Sequence, residues 1–240
     1  MTEIAASAND VESRISTNLD SVRTRIADAA RRSGRDPADI LLVVVTKTVG
    51  VREILCAADL GVEIVGENRV HEAAAKRDRV GDRVKWHMVG HLQRRKARDA
   101  VSIFDCIHSV DSLALAEQID KRCAAAGKTM PVLFEVNASG EETKFGLSPD
   151  ETPAVIRQAS SLEHIRIEGL MTMAPLVPDP EEARPCFRKL ARLAESVERE
   201  RIPNVALRHL SMGMTNDFEV AVEEGSTMVR VGTAIFGADR

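Results

Sequence analysis

Apolar positions recur along the chain at two periods, and the changes between them mark its elements. In residues 10–32, Val11, Ile15, Leu19, Val22 and Ile26 follow at steps of four and three, which predicts an amphipathic helix with Gly34 as its stop. Dense runs of branched and apolar residues come next: ILLVVVTK (40–47), VEIVGEN (62–68), VKWHMVG (84–90) and FDCIHSV (104–110). Four more are MPVLFEVN (130–137), IRIEGLMTMA (165–174), LRHLSMGM (207–214) and TMVRVGTAIFG (227–237). They read as buried strands. Between them helical spacing returns: Val51, Ile54, Leu55 and Ala58 share a face, as do Ala183, Phe187, Leu190, Ala194 and Val197. Asp111 and Ser112 stand where a helix N-cap would, and Gly127 where that helix would close.

Eight strands, seven connecting helices and a leading helix, with no Pro/Gly/Ser-rich linker, imply repeated βα units and a parallel sheet. At 240 residues this favours an α/β fold closed as a single (β/α)8 TIM barrel. One domain spans 1–240, with the leading helix at about 10–32 and the barrel at about 40–238.

In such a barrel, chemistry gathers at the C-terminal ends of the strands. Those ends carry Lys47, then Glu67 and Asn68, then His87 and Gly90, then His108 and Ser109, then Asn137. Met171 and Met173 follow, then SMGM (211–214), then Arg230 ahead of VGTA (231–234). Lys47, after five apolar residues, either marks the end of its strand in water or keeps an amine in the barrel mouth. Ser211, Gly213, Gly232 and Thr233 fall in the loops after strands 7 and 8, where barrels often bind phosphate through amides and hydroxyls. The plain alternative is turn glycines with satisfied hydroxyls. A lysine and a phosphate cradle in one mouth suit a phosphorylated aldehyde or ketone held as a Schiff base, because partial desolvation frees the amine to attack. Pyridoxal 5′-phosphate (PLP) and a sugar phosphate in aldolase fashion both fit. Arg230 facing a pyridine nitrogen would leave that nitrogen unprotonated and PLP a poor electron sink. It could equally pair with the phosphate or with a core carboxylate.

Composition narrows the setting. The chain is 44% hydrophobic and 29% charged with a net charge of −4, which gives no support to nucleic acid as a partner. RRKAR (94–98) is basic but holds no aromatic residue, and reads as a solvated face or a secondary anion site beside the mouth. No apolar run approaches the ~18 residues of a membrane span, so no membrane partner is expected. The opening MTEIAASANDVESR lacks the regions of a signal peptide. Cys56, Cys106, Cys123 and Cys186 are scattered without a CxxC pair, which points to a reduced, cytoplasmic setting. His87 and His91 stand four apart in a strand context rather than an HExxH helix, so no metal site is expected. Met171, Met173, Met212 and Met214 read as core filling. SGEETKFG (139–146) reads as a mobile loop whose Lys144 is either solvated or handles a ligand in transit.

The segments LLVVVTK (41–47), GEN (66–68), WHMVGHLQRRKA (86–97), HSVDS (108–112), VLFEVNASGEETKFG (132–146), GLMTMAP (169–175) and 210–237 are similar to those of the YggS-type pyridoxal phosphate homeostasis proteins. That family's fold resembles the N-terminal barrel of alanine racemase. The matches run in order over essentially the whole chain. The resemblance implies that Lys47 forms the Schiff base with PLP, and that Ser211, Gly232, Thr233 and amides such as that of Met212 hold the phosphate. It implies that Arg230 faces the pyridine nitrogen, and that Asn68, His87 and Met171 line the ring or its hydroxyl side. One departure is LQRRK where the family commonly shows LQSNK, which puts any inherited role of Arg94 and Arg95 in doubt.

The implied function is buffering of PLP and its delivery to PLP-dependent apo-enzymes, without strong catalysis. Racemisation in the related enzyme uses a tyrosine from a second domain as its other base. This chain contains no tyrosine and ends at Arg240, just past the barrel. The alternative class is a weak amino-acid racemase, with His87 pressed into that role, or a Schiff-base aldolase. A monomer is expected, since no apolar stripe is left unassigned.

Overall fold

Continuous apolar runs separated by amphipathic helices call for a parallel sheet covered by helices, and eight of them at this length favour a sheet closed on itself. The computed structural model shows that arrangement over residues 2–141 and 143–237, with the helical backbone alone described for residues 2–9. The strands are β1 (Leu41–Val45), β2 (Ile64–Glu67), β3 (Lys85–Met88), β4 (Cys106–Val110), β5 (Met130–Glu135), β6 (Ile165–Met171), β7 (Val205–Ser211) and β8 (Met228–Val231). They pair in chain order, all parallel, and β8 returns to β1 with Val43 opposite Arg230. The helices are α1 (Thr2–Arg32), α2 (Val51–Asp59), α3 (Val70–Val80), α4 (Ala97–Ile103), α5 (Leu113–Ala126), α6 (Thr152–Ala159), α7 (Arg184–Arg199), α8 (Phe218–Glu223) and α9 (Thr233–Phe236).

The leading helix starts earlier than its apolar stripe, at Thr2 rather than near residue 10. The stripe itself is buried at Ile15, Leu19, Val22 and Ile26, with Val11 packed at its edge. It lays α1 across α2, α8 and α9, and Asn18 Nδ2 donates to the Ile235 carbonyl at 2.9 Å. The Ser112 hydroxyl caps α5 by accepting from the Leu115 amide, and Gly127, at φ 63, ends it in the left-handed region.

Three sequence expectations need correction. The run 227–237 holds two elements, because Gly232 breaks β8 and the apolar Ile235 and Phe236 belong to the short helix α9; residue 238 lies outside the described residues. β1 stops at Val45 and β5 at Glu135, two residues before Lys47 and Asn137 respectively. Met173 is no core filler: it lies beyond β6 and is 41% exposed, and Met214 is half-buried, whereas Met171 and Met212 are buried.

Alternate strand residues turn into the barrel. Val43, Ile64, Val89, Cys106, Leu133, Met171 and Met228 form its apolar interior, while the outward faces join the helices in the larger core. The four cysteines are free thiols. Among the described residues, no helix is long and apolar enough to cross a membrane.

Candidate functional site

A cavity of about 540 Å³ opens at the C-terminal ends of the strands. Lys47, Asn68, Glu135, Arg230, Gly232 and Thr233 line it, with Met173, Thr215, Asn216 and Asp217 from the loops after β6 and β7. The extended chain of β1 ends just before Lys47, and Thr48 follows in the left-handed region at φ 61. This turn sends the Lys47 side chain to the rim, exposed, and its ammonium has no hydrogen-bond or ion-pair partner among the described residues. The neighbouring Lys76 is committed elsewhere, donating to the Thr46 carbonyl and to Glu67 Oε1, both at 2.7 Å. Thr46 Oγ1 donates to the same carboxylate oxygen at 2.7 Å, which pins the turn from below.

Arg230 forms the cavity floor from the middle of β8. Its Nη1 donates to the Ser211 carbonyl at 2.7 Å and the Ser211 hydroxyl at 2.6 Å, and its Nη2 to the Thr172 carbonyl at 2.8 Å. A guanidinium has five N–H donors, so these three bonds leave two for a ligand. Burial lowers its pKa to about 10 against the opposing pull of Glu135 and Asp217, and it stays a cation at neutral pH. Burial likewise raises the Glu135 carboxyl to about 7, although Arg230 draws it down. Asp217 is also raised by burial, and it accepts the Met214 amide at 2.6 Å to shape the turn after β7.

The backbone comes close on the β7–β8 side. A Cβ on Gly213, at φ 92, would stand 2.5 Å from the Ala221 Cβ, and one on Gly232 would stand 2.9 Å from the Val45 carbonyl oxygen. Thr233 opens α9, and the first N–H groups of a helix have no partner within it. Amides, a hydroxyl and a guanidinium thus converge opposite an amine.

Of the residues singled out from sequence, Lys47, Asn68, Arg230, Gly232 and Thr233 line this cavity. His87, Met171, Ser211 and Met212 are buried and are not among its lining residues. Ser211 supports Arg230, and its Oγ also meets His108 Nδ1 at 3.0 Å. His87 Nδ1 faces His108 Nε2 at 2.9 Å. Burial pulls the His87 pKa to about 3 and that of His108 well below its ordinary value, so both imidazoles are neutral.

The chain matches the model of the alanine racemase N-terminal domain over residues 17–240. It is 41% identical over 220 residues to the pyridoxal phosphate homeostasis protein of Aquifex aeolicus (strain VF5), spanning 91% of this chain and 96% of that one. It belongs to the pyridoxal phosphate homeostasis family. Among solved structures, an unknown protein from Bifidobacterium adolescentis is similar with a TM-score of 0.91 at 37% identity, over 95% of this chain and 96% of that chain. PipY of Synechococcus elongatus PCC7942, determined with PLP bound, is similar with a TM-score of 0.81 at 35% identity, over 93% of this chain and 100% of that one.

Four groups at this homeostasis-family mouth escape a strand-end reading. Glu135 is a lone carboxylate in an apolar run, and that is its only signal. Asp217 hides in a polar turn. His91 stacks on Phe145 with ring centroids 3.8 Å apart and sits 3.2 Å from Asp111, a contact between distant loops. Phe145 belongs to the loop after β5, at whose start Asn137 Oδ1 accepts from Ser139 Oγ and the Gly140 amide, each at 3.0 Å. Lys144 there pairs with Glu141 at 2.8 Å. Arg94 and Arg95 are exposed and are not among the cavity's lining residues.

Proposed function

We propose that this chain, as one barrel domain over residues 1–240, binds PLP in the cavity, holds it reversibly on Lys47 as a Schiff base, and serves cytoplasmic PLP homeostasis as a monomer that buffers PLP and passes it to apo-enzymes. The observation that carries the reading is an unpaired, exposed lysine sharing one cavity with a buried arginine and the Gly232–Thr233 turn. PipY with PLP bound and the homeostasis names of the relatives support it. The donor set fits the group: an amine for the aldehyde, amides and the Thr233 hydroxyl for the phosphate, a guanidinium for the ring nitrogen. The cavity volume also lies in the roughly 300–1,000 Å³ of small-molecule sites.

Bound there, PLP supplies an aldehyde that an amine captures reversibly and a ring that can draw electrons. Lys47 supplies the amine from the rim. Arg230 orients the ring and, keeping its proton, gives none to it. Ser211 acts from beneath by fixing Arg230, and Asn68 closes the side at the end of β2. Met171 backs the floor from the apolar interior without lining the cavity, and the buried Met212 leads from β7 into the Gly213 turn.

A second reading, weak amino-acid racemase, rests on Glu135, whose carboxyl exchanges a proton near neutral pH within the same cavity. His87 does not suit that role, being buried, neutral and bonded to His108. The test is the absorbance of the protein with PLP before and after borohydride, beside Lys47→Ala, with a racemisation assay on wild type and Glu135→Gln. The homeostasis reading expects a yellow band, a fixed adduct on the Lys47 peptide that Lys47→Ala lacks, and no racemisation. An adduct on Lys76 or Lys144, or no band, defeats it and makes sugar phosphates the next ligands to test. Racemisation lost in Glu135→Gln would make the protein an enzyme.

A further inference from the structure

Beneath the cavity floor the barrel interior holds three side chains with metal-binding atoms. His87 on β3 lies directly opposite Cys106 on β4 in the strand register, so both point to the same side of the sheet. His108 follows Cys106 by two residues on that same face, one step nearer the mouth. One ligand atom from each of His87, Cys106 and His108 lies within 4.8 Å of the others, and all three residues are buried. Cys106 packs in the apolar interior with Val43, Ile64, Val89, Leu133, Met171 and Met228. Two imidazoles and a thiol in a dry, apolar shell are the ligands of soft and borderline first-row ions.

We propose that His87, Cys106 and His108 form a site for one cuprous ion, independent of what the cavity above it binds. The ligand set and its shell select the ion: two imidazoles and one thiol packed among apolar side chains suit a soft cation of single charge. Binding forms one Cu–S and two Cu–N bonds and breaks the S–H bond, and the thiol proton leaves to solvent. The ring N–H of His87 or His108 that lies between the two rings shifts to that ring's other nitrogen. One positive charge enters and one leaves, copper stays cuprous, and the interior remains neutral. Zinc would leave a net positive charge in a dry space already bordered by Arg230, whose charge acts on His108.

Geometry permits it. Metal–nitrogen bonds of about 2.0 Å hold two nitrogens roughly 3–3.5 Å apart, so the 2.9 Å His87–His108 pair needs only to open slightly. Cys106 Sγ already lies within 4.8 Å of a ring nitrogen of each histidine. His108 keeps a second partner in Ser211 Oγ at 3.0 Å, the outer hydrogen bond that fixes the ring of a ligating histidine. Without the ion the two rings satisfy each other, so the site does not depend on metal for folding. The ion reaches it by local opening of the short β3–β4 pairing.

The test is anaerobic transfer of Cu(I) from its purple bicinchoninate complex to the full chain, followed by X-ray absorption at the copper edge. Wild type is expected to take one equivalent and to show one sulfur and two nitrogen neighbours. Cys106→Ser should lose the transfer, while Cys123→Ser and Cys56→Ser keep it. No transfer to wild type, a shell of sulfur alone, undiminished transfer to Cys106→Ser, or retention of Zn(II) in place of Cu(I) would each overturn the proposal. The wild-type absorption spectrum decides the point even where a variant fails to fold.

Discussion

The cavity floor and the layer just below it bury polar side chains a few ångströms apart and treat charge in opposite ways. The floor keeps a charge: Arg230 is a cation, with Glu135 and Asp217 acting on it as counter-charges. The layer beneath keeps none, for His87 and His108 are held neutral and the Cys106 thiol protonated. The floor faces a cavity that water or a ligand can fill, while the lower layer faces Val43, Leu133 and Met228. Charge is kept where something polar can meet it and suppressed one strand step deeper. The two layers consequently respond to pH with opposite sign.

The largest break in this comparison is Arg230→Met, which strands the Ser211 and Thr172 carbonyls and leaves Glu135 without its cation. The expected loss is about 3–5 kcal/mol, read from urea midpoints at pH 7. Next comes acid. Below about pH 6.5 the unfolded chain protonates His87 while the folded protein refuses that proton down to about pH 3, so stability present at neutral pH drains away as pH falls. Wild type should lose up to roughly 4 kcal/mol between pH 6.5 and 3 from this group, and His87→Asn should show a slope shallower by about one proton.

Glu135 works the other way. Its folded pKa of about 7 stands above the ordinary 4.5, so the folded state holds a proton that the unfolded state has released, and stability falls as pH rises between those values. Glu135→Gln should match wild type at pH 4 and exceed it by roughly 2–3 kcal/mol at pH 8; equal stability at pH 8 would sink the contrast. The smallest effect is at the rim, where Phe145→Ala removes the stack on His91. About 1 kcal/mol or less is expected, with faster amide exchange confined to the loop after β5.

The barrel was legible because its strands are continuous apolar runs, and eight of them alternating with helices at this length favour closure over an open sheet. Lys47, Asn68, Gly232 and Thr233 were legible because they follow the ends of such runs, where a barrel places its chemistry, and Arg230 because it is a lone cation inside the last strand. Ser211 and His87 sit near strand ends too, yet neither lines the cavity. Whether a side chain near the end of a strand reaches the mouth or points into the floor depends on stagger between strands, which one sequence does not print. Glu135 was invisible for a related reason: its acidity near neutral pH comes from burial and from Arg230, 95 residues further along the chain. The pairing of Cys106 with His87 needs the β3–β4 register.

Closure of β8 onto β1 also has a bearing on how the protein is made. Arg230, Gly232 and Thr233 arrive on the last strand and the turn after it, and the free edge of β1 waits for β8 through the synthesis of everything between. A ribosome-bound chain that has emerged only as far as β6 already displays Lys47, yet has no floor, no β7–β8 turns and no closed mouth. The pocket is therefore complete only once β8 and the turn after it have joined β1, however early Lys47 emerges.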